Sequence, residues 1–417
     1  MTDLLITNIG QLLTLAGDGA CRRGPAMRDL GLLERGAVAC ARGTVVAIGR
    51  ERDVVSSIDT NPDTVVLDAG GCVVTPGLVD PHTHAVHAAT REHEFAMRVG
   101  GATYEEIAEA GGGIRSSVRA LREMGEPELA ARGRATLDTM LSHGTTTVEV
   151  KSGYGLSLEA ELKLLRVIAR LAEAHAVDVV PTFMGAHEFP DEWRENRDGY
   201  VDLIVNEMIP AVAREGLARF CDVFCEKGVF TIEQSRRVLE AARGSGMGLK
   251  LHADELHAFG AAELAAELGA VSADHLVCVS DDGIRAMARA GVVAVLLPGT
   301  TLSLGKTDFA PARKMIEQGV AVALATDCNP GSSMTESMQI ILSLASMMLR
   351  MTPEEALVAA TVNAAAALSM SGRAGSLTRG RPCDLVLWDV EDYRAIPYHY
   401  GVNLARTVVK HGAIAVQ

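Results

Sequence analysis

The middle of the chain repeats one pattern. A short apolar run rich in β-branched residues gives way to a longer stretch whose apolar positions recur every three to four residues, and then the cycle starts again. The short runs are CVVTPGLVD (72–80), TTTVEVKSG (145–153), VDVVPTFMGAH (177–187), FCDVFCEKG (220–228), GLKLHADE (248–255), AVSADHL (270–276), GVVAVLLPG (291–299) and GVAVALATD (319–327). Stretches such as EAELKLLRVIARLAEAHA and AFGAAELAAELGA separate them and carry the helical period. Strands alternating with helices make parallel βα units. Near-regular succession of eight such units favours closure into a (β/α)8 TIM barrel over an open doubly wound sheet. The two ends differ from the middle. LLITNIGQLLTL, GAVACARGTVVAIG and TVVLDAGG come before it, GSLTRGRPCDLVLWDV and ARTVVKHGAIAVQ after it, and all read as strands and turns. Two like ends around an unlike middle predict one small β-sandwich domain built from residues 1–70 and 366–417, with the barrel over 71–365.

Composition narrows the function. At 417 residues and 48% hydrophobic, the chain can bury a large core. A net charge of −14 and the lack of a basic stripe argue against nucleic acid as a partner. The longest apolar runs are too short for a membrane span, and MTDLLITNIG lacks the basic start and cleavage site of a secretory signal. The cysteines, at 21, 40, 72, 221, 225, 278, 328 and 383, have no CxxC spacing. That scatter reads as free thiols in a reducing cytoplasm, with Cys221 and Cys225 packed in a strand.

The polar residues then fall in a telling place. Strand one ends in Asp80-Pro81-His82-Thr83-His84, and in extended chain residues i and i+2 point the same way. His82 and His84 therefore aim at one point. A lone His-x-His is explained as well by a polar loop as by a metal grip. Here, however, strand three ends at His187, strand five at His252 with Glu255 following, strand six at Asp274-His275, and strand eight at Asp327. The C-terminal ends of barrel strands are where such folds place their chemistry. His82, His84, His252 and Asp327 supply three imidazoles and one carboxylate, a set suited to zinc or iron with a position left for water. A metal there makes water acidic enough to attack near neutral pH, so the array predicts metal-assisted hydrolysis, with Glu255 and His275 handling protons. AGGGIRSS (110–117) is glycine-rich but lacks Gly-Lys-Ser/Thr, and reads as a loop beside the site rather than a phosphate cradle.

PGLVDPHTH, LHADELH, SADHL and ATDCNPGSS resemble the metal-dependent amidohydrolase superfamily. GATYEEIAEAGGGI, EVKSGYGL, FMGAHEFP, DVFCEKGVF and DCNPGSSMTESMQ resemble, more narrowly, its imidazolonepropionase family, and the likeness runs along essentially the whole chain. The resemblance implies hydrolysis of 4-imidazolone-5-propanoate to N-formimino-L-glutamate, in histidine degradation. It implies one Zn2+ or Fe3+ per chain at His82, His84, His252 and Asp327, and a homodimer. It also implies substrate contacts at Arg91, Tyr154, His187, Glu255, Asn329, Gly331 and Ser332. Departures from the family pattern occur at Glu188-Phe189 and at Phe259-Gly260-Ala261, away from the expected ligands.

The chemistry of these residues suits that substrate. A guanidinium at Arg91 can hold the propanoate by two hydrogen bonds. Tyr154 sits between glycines that let backbone approach a ligand. Asn329, Gly331 and Ser332 form a polar turn directly after Asp327. The expected catalytic group is Glu255, His275 and Asp327: Asp327 takes a proton from water, His275 or His187 stabilises the oxyanion, and Glu255 protonates the departing ring nitrogen. His87, His93 and His257 fall off the strand-end pattern. Lys151 and Glu226 are the places where a second metal would be bridged, but the four ligands already close a mononuclear set. Two other readings remain: a deaminase of the same superfamily acting on a purine or pyrimidine ring, and a barrel that binds without catalysing. The carboxylate anchor at Arg91 argues against the first, the intact ligand set against the second.

Overall fold

The computed structural model describes residues 2–103, 106 and 110–417. Met1, Tyr104, Glu105 and residues 107–109 lie outside the described residues, and with them part of the GATYEEIAEAGGGI stretch. Strands β1 (Leu4–Leu13), β2 (Leu32–Ala41), β3 (Thr44–Arg50), β4 (Val65–Asp68) and β5 (Val73–Pro76) come first. The barrel strands follow: β6 (Leu78–Asp80), β7 (Thr145–Lys151), β8 (Asp178–Ala186), β9 (Phe220–Cys225), β10 (Gly248–Ala253), β11 (Ser272–His275), β12 (Val293–Leu296) and β13 (Val322–Leu324). Strands β14 (Leu385–Trp388), β15 (Ala405–Lys410) and β16 (Ala413–Val416) close the chain.

All eight expected central strands are present, paired in chain order from β6 to β13 and parallel throughout. Helices lie between them because the intervening sequence has an apolar face and a start signal. Leu158–Ala174 begins where Ser157 accepts from the Ala160 N–H, and Ile232–Gly244 where Thr231 and Gln234 form a capping box. The terminal strands form a second sheet, ordered β16-β15-β14-β5-β1-β2-β3, with β4 also on β1. One apolar cluster joins both chain ends there, from Leu4, Ile6 and Val38 to Leu385, Leu387 and Val409.

One strand divides where the sequence suggested continuity. The run 72–80 contributes β5 to the terminal sheet and only β6 to the barrel, so the terminal sheet reaches Pro76 rather than ending at 70. Gly77 makes the passage. A Cβ there would lie 2.1 Å from the Thr146 hydroxyl, so no larger residue fits between the two sheets.

Strands β6 and β13 stand at opposite ends of the barrel's hydrogen-bonded path, and the residues just beyond them close it. The Asp327 N–H donates to His82 O at 3.0 Å, and the His84 N–H donates to Cys328 O at 3.0 Å. Below them the Asp80 carboxylate accepts from the Thr326 N–H at 3.1 Å and from its hydroxyl at 2.5 Å. The segments that carry three expected ligands thus also stitch the barrel shut. Cys221 and Cys225 are fully buried in β9, as the apolar reading required. No helix among the described residues is long and apolar enough to cross a membrane.

Candidate active site

His82, His84, His252, His275 and Asp327 meet at the C-terminal end of the barrel, all of them buried. Ligand atoms of His82, His84 and Asp327 lie within 4.8 Å of one another, and so do those of His82, His252 and His275. His82 is common to both triads, and its Nε2 stands 3.5 Å from Asp327 Oδ1. His82 Nε2 and His275 Nε2 are buried without a hydrogen-bond partner among the described residues. A buried orphan nitrogen costs free energy unless something accepts its lone pair, and a cation satisfies several at once. Burial holds the His82 and His84 imidazoles well below the usual histidine range, in the neutral form that ligates. The residues therefore fit a bound transition metal. His275, expected as a proton-handling group, shares one of these triads with His82 and His252.

Carboxylates behind the ring fix two of these histidines. Asp274 Oδ2 sits 2.6 Å from His82 Nδ1, and Asp222 Oδ1 sits 3.1 Å from His252 Nδ1. The first is a hydrogen bond that leaves His82 Nε2 to face the centre, and Asp222 Oδ1 also accepts from the His252 backbone N–H at 3.1 Å. Beneath them is a fully buried lattice. Lys151 Nζ lies 2.7 Å from both Glu149 and Asp222 and 3.7 Å from Asp274. Lys250 Nζ lies 3.2 Å from Glu149 and donates to Pro81 O at 2.9 Å. Sequence reasoning passed over Glu149, Asp222 and Lys250. Their signal was present: Glu149 with Lys151, and Lys250 with His252, are i, i+2 pairs of polar residues inside otherwise apolar strands. Burial opposes the charge on Lys151, but its three carboxylates outweigh burial and keep it an ammonium. Glu226 is also committed, accepting from the Leu256 N–H at 2.8 Å and facing His257 Nδ1 at 2.9 Å. Both candidate bridges to a second metal are thus engaged elsewhere.

Several site residues sit on strained backbone. Asp254, His275, Leu276 and Asp327 have φ of 47°, 75°, 60° and 52°. Such angles persist only where surrounding structure imposes them. Asp254 shows how: its carboxylate accepts from the backbone N–H groups of Phe259, Gly260, Ala261 and Ala262, anchoring the loop that carries Glu255. Glu255 Oε2 then lies 3.7 Å from His275 Nδ1.

A cavity of about 550 Å³ opens above the histidines, and Arg91, Tyr154, His187, Glu255, Asn329, Gly331 and Ser332 all line it. The His187 ring stacks on His84 with centroids 5.0 Å apart and planes 16° from parallel. Its Nδ1 donates to Gly153 O at 3.0 Å, and burial pushes its pKa down to about 3. The ring is neutral, so Nε2 is an acceptor. Burial likewise raises the Tyr154 phenol, which stays a donor. Asn329 is engaged inside its own turn. Its Nδ2 donates to Asp327 O at 2.7 Å, and its Oδ1 accepts from the Gly331 and Ser332 N–H groups at 2.8 Å each. Arg91 packs over that turn, where a Cβ on Gly331 would stand 2.7 Å from Nη1. His87, His93 and His257 do not line this cavity.

The Amidohydrolase family profile matches residues 73–412. The chain is 52% identical over 418 residues to the imidazolonepropionase of Geobacillus kaustophilus (strain HTA426), covering 100% of this chain and 98% of that one. It is 53% identical over 415 residues to the imidazolonepropionase of Symbiobacterium thermophilum (strain DSM 24528 / JCM 14929 / IAM 14863 / T), covering 99% and 97%. Among solved structures, an adenosine deaminase from Xanthomonas campestris with bound zinc has a TM-score of 0.72 at 21% identity, covering 100% of this chain and 93% of that one. A 5-methylcytosine deaminase from Klebsiella pneumoniae has a TM-score of 0.74 at 19% identity, covering 99% and 97%. These two share the fold.

Proposed function

The chain belongs to the amidohydrolase family, among the imidazolonepropionases, and from that premise we propose that it hydrolyses the lactam C–N bond of 4-imidazolone-5-propanoate to give N-formimino-L-glutamate. One observation carries the reading beyond the family. A cluster of metal-fitting groups and an arginine suited to a carboxylate line the same cavity. A purine or pyrimidine ring needs the first and has no use for the second. In the same reading the enzyme is a cytoplasmic homodimer holding one Zn2+ or Fe3+ per chain.

In this reading His82, His84, His252 and Asp327 would hold the metal. A metal held there would supply polarisation of the lactam carbonyl and a water acidic enough to attack near neutral pH. Arg91 grips the propanoate and fixes the ring in the cavity. His187, as a neutral acceptor, takes a hydrogen bond from a ring N–H. We assign the oxyanion to His275, a buried residue that lines the same cavity. Asp327 receives the proton that water loses. Glu255 delivers a proton to the ring nitrogen as its bond to carbon breaks, and its approach to His275 lets the two share that proton's path. Tyr154 donates to the substrate, the Gly331 and Ser332 turn borders it, and Asn329 keeps the shape of that turn.

The test is turnover of 4-imidazolone-5-propanoate, followed by loss of ring absorbance, beside metal analysis and sedimentation velocity. Arg91→Ala should lower kcat/KM by roughly tenfold to a hundredfold, the scale of a charge-assisted contact of about 1.5–3 kcal/mol. The loss should appear mainly in KM. Faster turnover of cytosine or guanine, with indifference to Arg91→Ala, would establish a deaminase instead.

A further inference from the structure

Arg91 does not hang freely in the cavity. Its Nε donates to Glu94 Oε2 at 2.9 Å, one turn along the helix Glu92–Val99. Glu94 has only 9% of its surface exposed, and its other oxygen is also in use. Oε1 accepts from the Gly113 N–H at 3.0 Å and from the Ser116 hydroxyl at 3.2 Å. On its far side the guanidinium lies against Gly331, where a Cβ would come within 2.7 Å of Nη1. The group is therefore held from two sides, with its Nε edge occupied by Glu94. Among the described residues only the Nε edge is hydrogen-bonded, which leaves the edge formed by Nη1 and Nη2 for an incoming carboxylate.

We propose that Glu94 is a positioning residue that sets substrate arm length. By pinning Arg91 it fixes the distance between the carboxylate anchor and the metal cluster, and that distance selects a two-carbon arm. An arginine side chain has several rotatable bonds and would otherwise follow a shorter or longer arm at small cost. Glu94 also offsets the charge of Arg91, so binding depends on the geometry of two aligned hydrogen bonds more than on attraction alone. The inference rests on the assignment of Arg91 to the propanoate.

The experiment compares imidazolones bearing acetate, propanoate and butanoate arms with the holoenzyme. Glu94→Gln separates the two duties of the side chain. The amide oxygen can still accept from Gly113 and Ser116, while the amide NH2 now faces the Nε–H of Arg91, donor against donor. The preference for propanoate, measured as a ratio of kcat/KM values, should narrow on the order of tenfold, the scale of one charged hydrogen bond. The change should lie in KM, with the shorter and longer arms gaining. Ser116→Ala removes one of the two donors to Glu94 Oε1 and leaves Gly113 and the Arg91 contact, so it should narrow the ratio less than Glu94→Gln does. Gly331→Ala pushes on the guanidinium from its other side and should disturb the ratio with Glu94 intact. The proposal is overturned if Glu94→Gln lowers all three substrates equally, or if Ser116→Ala narrows the ratio as much. A parent that ignores the propanoate compound would refute the substrate assignment instead, which keeps the two failures apart.

Discussion

Lys151 and Lys410 are both lysines buried against carboxylates, and their surroundings differ in an instructive way. Lys151 lies inside the barrel with no exposed neighbour, and two of its carboxylates, Asp222 and Asp274, back onto histidines of the candidate metal cluster. Lys410 closes β15 and reaches Asp384 at 2.6 Å and Asp178 at 2.8 Å. Asp178 opens β8, at the opposite end of the barrel, and keeps 25% of its side chain exposed. Both lysines are shared between carboxylates. The first lattice is tied to side chains that must point accurately, the second to backbone segments that must stay together. Desolvating five charged groups in the barrel is a cost that stability alone does not explain, since apolar packing would serve as well. Aiming two imidazoles does explain it.

The largest effect should come from breaking the barrel lattice. Lys151→Met leaves Asp222 without a lysine and Glu149 and Asp274 with Lys250 alone, a loss of about 3–5 kcal/mol for an uncompensated buried charge. Metal content and activity should fall together with the melting temperature. Parent-like metal content in this variant would mean that the lattice does not aim the histidines.

Glu255→Gln should separate chemistry from architecture. Glu255 lines the cavity but takes no part in the lattice, so the variant should keep its metal and its melting temperature. Turnover should fall by ~10²-fold or more, as for a positioned acid–base group. Loss of metal instead would place Glu255 among the ligands.

How much of this was legible beforehand follows from the range of each interaction. The eight strands and the cluster of histidines and aspartate at their ends were legible because alternation and strand ends are local: His82 and His84 announce a shared direction by spacing alone. The division of 72–80 was hidden, because β5 and β6 have the same apolar character and differ only in their partners. The lattice was hidden for a related reason. Glu149 meets Lys250 across the barrel, and nothing along either strand says so. Arg91 was read as an anchor, but its pinning by Glu94 and Gly331 was not, since half of that grip comes from the loop after β13. Asn329 lines the cavity, as the resemblance implied, and what the sequence did not show is that its amide also holds the turn it sits in.

The smallest effect belongs to the seam between terminal sheet and barrel, and it appears in pH dependence. Burial pushes the Asp178 carboxyl up, yet His411 and Lys410 outweigh burial and hold it at about 2, below its ordinary 3.8. A folded value below the unfolded one gives stability that is present above pH 3.8 and lost as the pH falls toward 2. The contact with Asp178 raises His411, despite opposing burial. A folded value above the unfolded one gives stability that is present below pH 6.5 and lost as the pH rises through the folded value. The seam therefore contributes most between these limits, by about 1–2 kcal/mol once solvent screening of the exposed His411 is allowed for. Asp178→Asn should flatten the acid limb of the urea-unfolding midpoint relative to the parent, and His411→Asn the limb above neutrality. Neither should change kcat at pH 7, because the seam lies at the end of β8 remote from the cavity. If Asp178→Asn impaired turnover as Glu255→Gln does, the division between a cluster that aims and a cluster that fastens would collapse.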